Sequence, residues 1–155
     1  MKTKNNNLTK IAILIALSVV LSYLKIPSPT GSVALDALPG YFAAVAISPL
    51  SGGIVGAIGH FFTALNSGFP LGVPIHAVVA FTMFVACFGF GLVYKKNKAL
   101  GIITGVVLNT FVSLGIISFM IPWEVIVALF LPLLVGSIIN VILASMVYET
   151  IKNRL

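Results

Sequence analysis

The sequence predicts an all-α fold, an integral membrane bundle of six transmembrane helices with both termini cytoplasmic. Three observations predict it. The first is composition: of 155 residues, 59% are hydrophobic and 8% charged, and the mean hydropathy is +1.17. A soluble domain carries about 25% charged residues, so nine basic and three acidic side chains cannot cover a water-facing surface. The second is a series of apolar runs separated by Pro/Gly-rich or lysine-rich breaks. The third is where the basic residues fall. With six spans and the N-terminus inside, Lys2, Lys4, Lys10, Lys95, Lys96, Lys98, Lys152 and Arg154 face the cytoplasm and only Lys25 faces out, a strong positive-inside bias. A single span over 33–65 would instead put the N-terminal lysines and those at 95–98 on opposite sides.

Residues 1–155 are read as one membrane domain, with helices over 8–24, 33–48, 50–65, 75–94, 100–120 and 125–148. A spanning helix needs about 17–25 apolar residues. The first run follows three lysines as a signal peptide would, but it ends in Lys25-Ile26-Pro27-Ser28-Pro29 without a small-x-small cleavage site, so it reads as a retained helix. Ala12 and Ala16 form an A-x-x-x-A step on it. Small residues four apart admit a close neighbour, either inside the bundle or on a partner subunit. Pro27 and Pro29 then fix φ and hold the residues before them extended, and Thr30, Gly31 and Ser32 are turn formers.

The second and third runs, 33–48 and 50–65, are separated by Pro49-Leu50-Ser51-Gly52-Gly53. Both are short for a bilayer, so they are expected to stop below one surface and leave a cavity there. Gly52, Gly56 and His60 recur every four residues, giving the third helix a nearly flat face. A Pro/Gly-rich loop over 66–74 precedes a full-length fourth helix. Lys95, Lys96 and Lys98 end that helix, and Ile121-Pro122-Trp123-Glu124 separates the last two. The three loops on the outer face hold the Pro, Gly, aromatic and acidic residues, so the chemistry is expected at the outer end of the bundle.

The candidate ligand residues follow. Asp36 is an acid inside an apolar run, where a carboxylate is costly and marks a functional site by default; an N-capping or snorkelling acid is the alternative. His60 and His76 flank the second outer loop. Sixteen residues apart and without an acidic partner in sequence, they are a weak metal signal, and no metal is expected. Asn109 and Asn140 are buried amides that either join helices or touch substrate. Tyr41, Phe69 and Trp123 are an interfacial belt or stacking walls for a flat ring. Asn66 opens the second outer loop and is a further polar contact. Glu124 reads as an exposed loop acid, and Cys87, the one cysteine, as a small packing residue.

No G-x-x-x-x-G-K-[ST] loop, G-x-S-x-G elbow or H-E-x-x-H motif is present, and six spans leave no room for a soluble catalytic domain. The chain is therefore read as a non-enzyme without a cofactor. The basic residues sit at the ends of apolar runs and form no patch for nucleic acid.

The six short-loop helices, the inside N-terminus, the step at Ala12 and Ala16 and the long first outer loop resemble the substrate-binding S components of energy-coupling factor (ECF) vitamin transporters. The likeness extends over 8–148. It implies a multi-pass protein of the bacterial cell membrane that captures a vitamin or precursor. It also implies docking, through the first helix, onto a transmembrane coupling protein that bears two ATPases. Ile26 to Asp36, Leu38-Pro39-Gly40-Tyr41, and Gly59-His60 through Gly72 and His76 are similar to the α-ribazole (CblT) group, whose ligand is a cobalamin precursor. Nickel and cobalt members begin Met-His, whereas this chain begins Met1-Lys2. Asp36, His60, Asn66 and His76 would supply polar contacts to such a ligand, and Tyr41, Phe69 and Trp123 its walls. Related groups of the family take pantothenate, hydroxymethylpyrimidine, thiamine or riboflavin, so an S component for another vitamin is one alternative; a solitary proton-coupled carrier or channel and a ligand-free scaffold subunit are two more.

Overall fold

The computed structural model describes residues 2–28 and 31–154. Its elements are α1 (Lys2–Leu21), β1 (Lys25–Ser28), β2 (Gly31–Ala34), α2 (Leu38–Ala46), α3 (Pro49–Asn66), α4 (Val73–Tyr94), α5 (Lys98–Val107), a π-helical turn (Leu108–Val112), α6 (Ser113–Ile117) and α7 (Trp123–Ile151), with a closing 3₁₀ turn at Lys152–Arg154. α5, the π turn and α6 form one continuous rod, Lys98–Ile117. That rod, α4 and the stretch Trp123–Arg154 are long and apolar enough to cross a membrane.

The purely helical expectation is corrected at one place. Residues 25–34, expected as a loop followed by the start of a helix, form an antiparallel hairpin in the register Lys25↔Ala34 to Ser28↔Gly31. Proline is tolerated there because a two-stranded ribbon is all edge and leaves positions with no ladder bond to donate. Of the expected turn formers, Pro29 and Thr30 lie outside the described residues. As a result α2 begins at Leu38 rather than 33. With nine residues it rises only about 14 Å, roughly half the hydrocarbon thickness. Asp36 lies just beyond its open end.

Small residues let the middle of the bundle close. Pro39 sits in the first turn of α2 and Pro49 in that of α3, where a missing N–H costs nothing. Ser48 caps α3, its Oγ accepting from the Ser51 amide at 3.1 Å. Gly52 lies so close to α2 that a Cβ there would stand 2.3 Å from the Ala44 Cβ, and one at Gly56 would stand 2.7 Å from the Cys87 Sγ. Cys87 is thus a buried packing residue. α1 lies against α3 with Ser18 and Ser22 buried and Ser18 over Gly59. Its other face, Leu8, Ala12, Ile13, Ala16, Leu17 and Val20, is exposed.

The core is built from Tyr41, Ala44, Met83, Cys87, Phe90, Val141 and Ala144. Tyr41 is fully buried, edge-on to Phe90 at 5.2 Å between ring centroids, and its hydroxyl donates to the Gly105 carbonyl at 3.2 Å. At the opposite end from the hairpin, Glu149 joins three helices. It accepts from Lys98 and Lys152 at 2.7 Å each and from the Tyr94 hydroxyl at 3.2 Å. Large apolar side chains such as Phe81, Phe119 and Leu131 point outward, as a lipid-facing surface requires.

Candidate functional site

Where α2 stops short, the ends of α3 and α4, the π turn and the middle of α7 enclose a cavity of about 270 Å³. Polar groups come to it from four directions: Asp36 before α2, His60, Thr63 and Ser67 from α3, His76 from α4, and Asn109 and Asn140 from the far side. Val79, Met83 and Leu133 supply the apolar wall.

Three of these side chains form a chain. The Asp36 carboxylate lies 3.4 Å from His60 Nδ1, and His60 Nε2 lies 3.3 Å from His76 Nδ1. Asp36 and His76 are both buried. The two imidazoles meet because the α3–α4 turn is tight. Gly68 and Gly72 take φ of +75° and +86°, and Phe69 takes +51°, a region that costs a residue with a Cβ about 1–2 kcal/mol. The turn is held by the Phe69 amide, which donates to Ala64 O at 2.8 Å. It sets the Phe69 ring against His76 at 5.7 Å and against Phe61 at 5.6 Å.

The far wall depends on the π turn. One extra residue in a helical turn changes the facing of everything beyond it. Here it lets two successive side chains, Asn109 and Thr110, both be buried and both donate to Ser137 Oγ on α7, at 2.7 and 3.0 Å. Asn140, one turn further along α7, donates through Nδ2 to Gly136 O at 2.8 Å and to Ala34 O at 3.2 Å. It thereby fastens the end of the hairpin to α7. Among the described residues, three buried side-chain polar atoms find no hydrogen-bond partner: Thr63 Oγ1, His76 Nε2 and Asn140 Oδ1. All three residues line this cavity.

Of the nine residues expected at a ligand site, Asp36, His60, His76, Asn109 and Asn140 share the cavity, and the Phe69 ring lies tilted against His76. The other three lie elsewhere. Tyr41 belongs to the core, because it is buried with Ala44 and Val45 and not on the partly exposed stripe of α2, Leu38, Phe42 and Ala46. Asn66 is exposed and accepts from the Tyr23 hydroxyl at 3.3 Å. Trp123, the first residue of α7, is 68% exposed. Thr63, Ser67, Met83 and Gly136 were missed. Their signal is helical spacing, since Thr63 follows His60 by three, Met83 follows His76 by seven and Gly136 precedes Asn140 by four, each on the same helix face as its partner. Among the described residues, no three His, Cys, Asp or Glu side chains converge to hold a metal ion. Asp36, His60 and His76 run in line, and both ring nitrogens of His60 are already engaged.

The profile of the family described as ECF transporter, substrate-specific component, matches residues 6–152. The chain belongs to that family. A solved S component of a bacterial ECF transporter shares the fold, with a TM-score of 0.66 and 24% identity over 97% of this chain and 95% of that one. Comparison with curated protein sequences gives no match. As an ECF substrate-specific component the chain is a membrane protein and a transporter subunit rather than an enzyme, working on a small molecule together with an ECF module.

Proposed function

We propose that the cavity is the capture site of this S component and that its substrate is a vitamin or vitamin precursor, α-ribazole before the others. The observation that carries this reading is the convergence of Thr63 Oγ1, His76 Nε2 and Asn140 Oδ1, buried and unpartnered, on one cavity. Buried polar atoms are rarely left unpaired, and a substrate with several polar groups would pair them. The volume of about 270 Å³ is just below the range of most ligand sites, roughly 300–1,000 Å³. That size suits one fused ring with a small polar substituent, as in α-ribazole, and is too small for a corrinoid. Val79, Met83 and Leu133 are the wall for the ring; Asp36, His60, Asn109 and Asn140 are the polar surround.

In this reading both termini are cytoplasmic and the cavity opens outward, at the end away from Lys98, Glu149 and Lys152. The exposed step at Ala12 and Ala16 docks on the transmembrane coupling protein bearing two ATPases, which drive release to the inside. The support is that α1 spends its other face, through Ser18 and Ser22, on the bundle and leaves this one open.

The test is a titration of the purified chain in nanodiscs with α-ribazole beside pantothenate, thiamine, hydroxymethylpyrimidine and riboflavin. Saturable binding of α-ribazole alone is expected, weakened about tenfold to a hundredfold by His76→Ala. Tight binding of a different vitamin keeps the capture site and removes the α-ribazole assignment. Affinity unchanged in both His76→Ala and Asp36→Asn would place the site elsewhere.

A further inference from the structure

We infer that the cavity selects its substrate by polarity, taking a molecule that donates hydrogen bonds into it and carries no negative charge. The inference rests on the capture-site reading above and narrows it to a chemical class.

The polarity follows from where hydrogens must sit. With Asp36 taken as a carboxylate, which only accepts, and both rings taken as neutral, His60 Nδ1, 3.4 Å from Asp36, carries the hydrogen between them. In a neutral imidazole the other nitrogen is then bare. His60 Nε2 is thus an acceptor, and the hydrogen of the 3.3 Å contact belongs to His76 Nδ1. That in turn leaves His76 Nε2 bare. It is buried, belongs to a residue that lines the cavity and has no partner among the described residues. The carboxylate therefore sets, through two rings, the polarity of an atom it does not touch.

A second atom reaches the same state by independent means. The Asn140 Nδ2 group faces two backbone carbonyls, Gly136 O at 2.8 Å and Ala34 O at 3.2 Å. Carbonyl oxygens only accept, so the amide cannot be turned over without setting oxygen against oxygen twice. Asn140 Oδ1 is fixed as a bare acceptor, also buried and unpartnered. The third atom, Thr63 Oγ1, both donates and accepts and adds no bias.

Two fixed lone pairs from α4 and α7 thus ask for two hydrogens from the ligand. The one formal charge on the lining is the Asp36 carboxylate, and no Lys or Arg is among the described lining residues. A ligand carboxylate or phosphate brings only lone pairs and a second negative charge to this surface, and mismatches of this kind reject a partner strongly. Hydroxyls, ring or exocyclic N–H groups and cationic heterocycles fit. Of the vitamins named above, pantothenate, a carboxylate, falls outside the class; α-ribazole, hydroxymethylpyrimidine, thiamine and riboflavin fall inside it.

Matched pairs test this, each keeping one skeleton and exchanging a hydroxyl for an anion. They are α-ribazole and its 5′-phosphate, pantothenol and pantothenate, and thiamine and its monophosphate, titrated by calorimetry against the full chain in nanodiscs. In every pair that binds, the member without the anion should bind at least about a hundredfold more tightly. An anionic member binding as tightly as its partner, or more tightly, overturns the inference and leaves the capture site standing. Binding of none of the six, nor of hydroxymethylpyrimidine or riboflavin, by protein that still unfolds cooperatively on heating removes the vitamin reading, and this inference with it. His76→Lys replaces the lone pair with an ammonium and should move the ratio at least tenfold toward the anion. A folded variant with the same ratio as the wild type also overturns the inference, and if that variant does not fold the matched pairs decide alone.

Discussion

Two steps of small residues four apart meet different fates in this molecule. Gly52 and Gly56 on α3 are used inside, pressed on Ala44 of α2 and Cys87 of α4. Ala12 and Ala16 on α1 are left outside. In sequence they are the same signal, a narrow helix face that admits a close neighbour. What separates them is the neighbour. α2 is a nine-residue helix buried on most of its surface, with only Leu38, Phe42 and Ala46 partly exposed, and this burial requires α3 to come within backbone distance. α1 reaches the bundle through Ser18 and Ser22 instead, which leaves its alanine face unclaimed by this chain. A small-residue step therefore shows that something packs closely, and only the three-dimensional structure shows whether the chain itself supplies it.

The comparison can be broken most forcefully at Gly52. Gly52→Leu would drive a side chain into the Ala44 Cβ and backbone, from which a Cβ alone would already be 2.3–2.7 Å. With backbone as the obstacle, the expected cost is about 3 kcal/mol or more, seen as loss of a monodisperse peak on size exclusion in detergent. A well-behaved Gly52→Leu protein of normal Tm would mean that α2 and α3 are not in this contact. Next in size, and opposite in kind, is Ala12→Leu combined with Ala16→Leu. Tm and ligand affinity should stay close to wild type while ATP-dependent uptake by the reconstituted transporter is abolished. A fall in Tm would place that face inside the bundle.

A smaller effect is expected where α3 meets the inward side of α1. Gly59→Ala sets a Cβ 2.6 Å from Ser18 Oγ and 2.7 Å from Ser18 Cβ. The hydroxyl can turn away but the Cβ moves only with α1, so the expected loss is about 1–3 kcal/mol, read as a lowered Tm with uptake retained at permissive temperature. An unchanged Tm would mean that α1 is not seated on α3. The smallest change is Val20→Thr on the exposed side of α1, expected within about 0.5 kcal/mol of wild type. A larger shift in thermal unfolding would mean that this side is covered by the chain itself.

How far the site was legible in the sequence depended on how local each contact is. His60 and His76 flank one short loop, so their approach follows from chain connectivity. Their link to Asp36 does not, because it depends on the hairpin placing residue 36 beside α3. Pro27, Pro29 and Gly31 mark extended chain and a turn, but pairing two four-residue strands is a matter of register that composition does not encode. A tyrosine beside Pro-Gly near a helix start has the local pattern of an interfacial belt; only the packing of Phe90 and Gly105 against Tyr41 makes it a core residue. The π turn carries no marker at all, since Leu108-Asn109-Thr110-Phe111-Val112 contains neither proline nor glycine.

That π turn also sets a phase. The rod Lys98–Ile117 carries a cavity wall in its middle and, at its first residue, the ammonium that meets Glu149 at 2.7 Å. Each residue of an α-helix advances about 100°, so removing one residue from the wide turn would rotate one half of the rod against the other by about that angle. Asn109 and Lys98 could not then both keep their facing. The two ends of the molecule are timed to each other by a single surplus residue, and a one-residue deletion there would be felt at whichever end yields first.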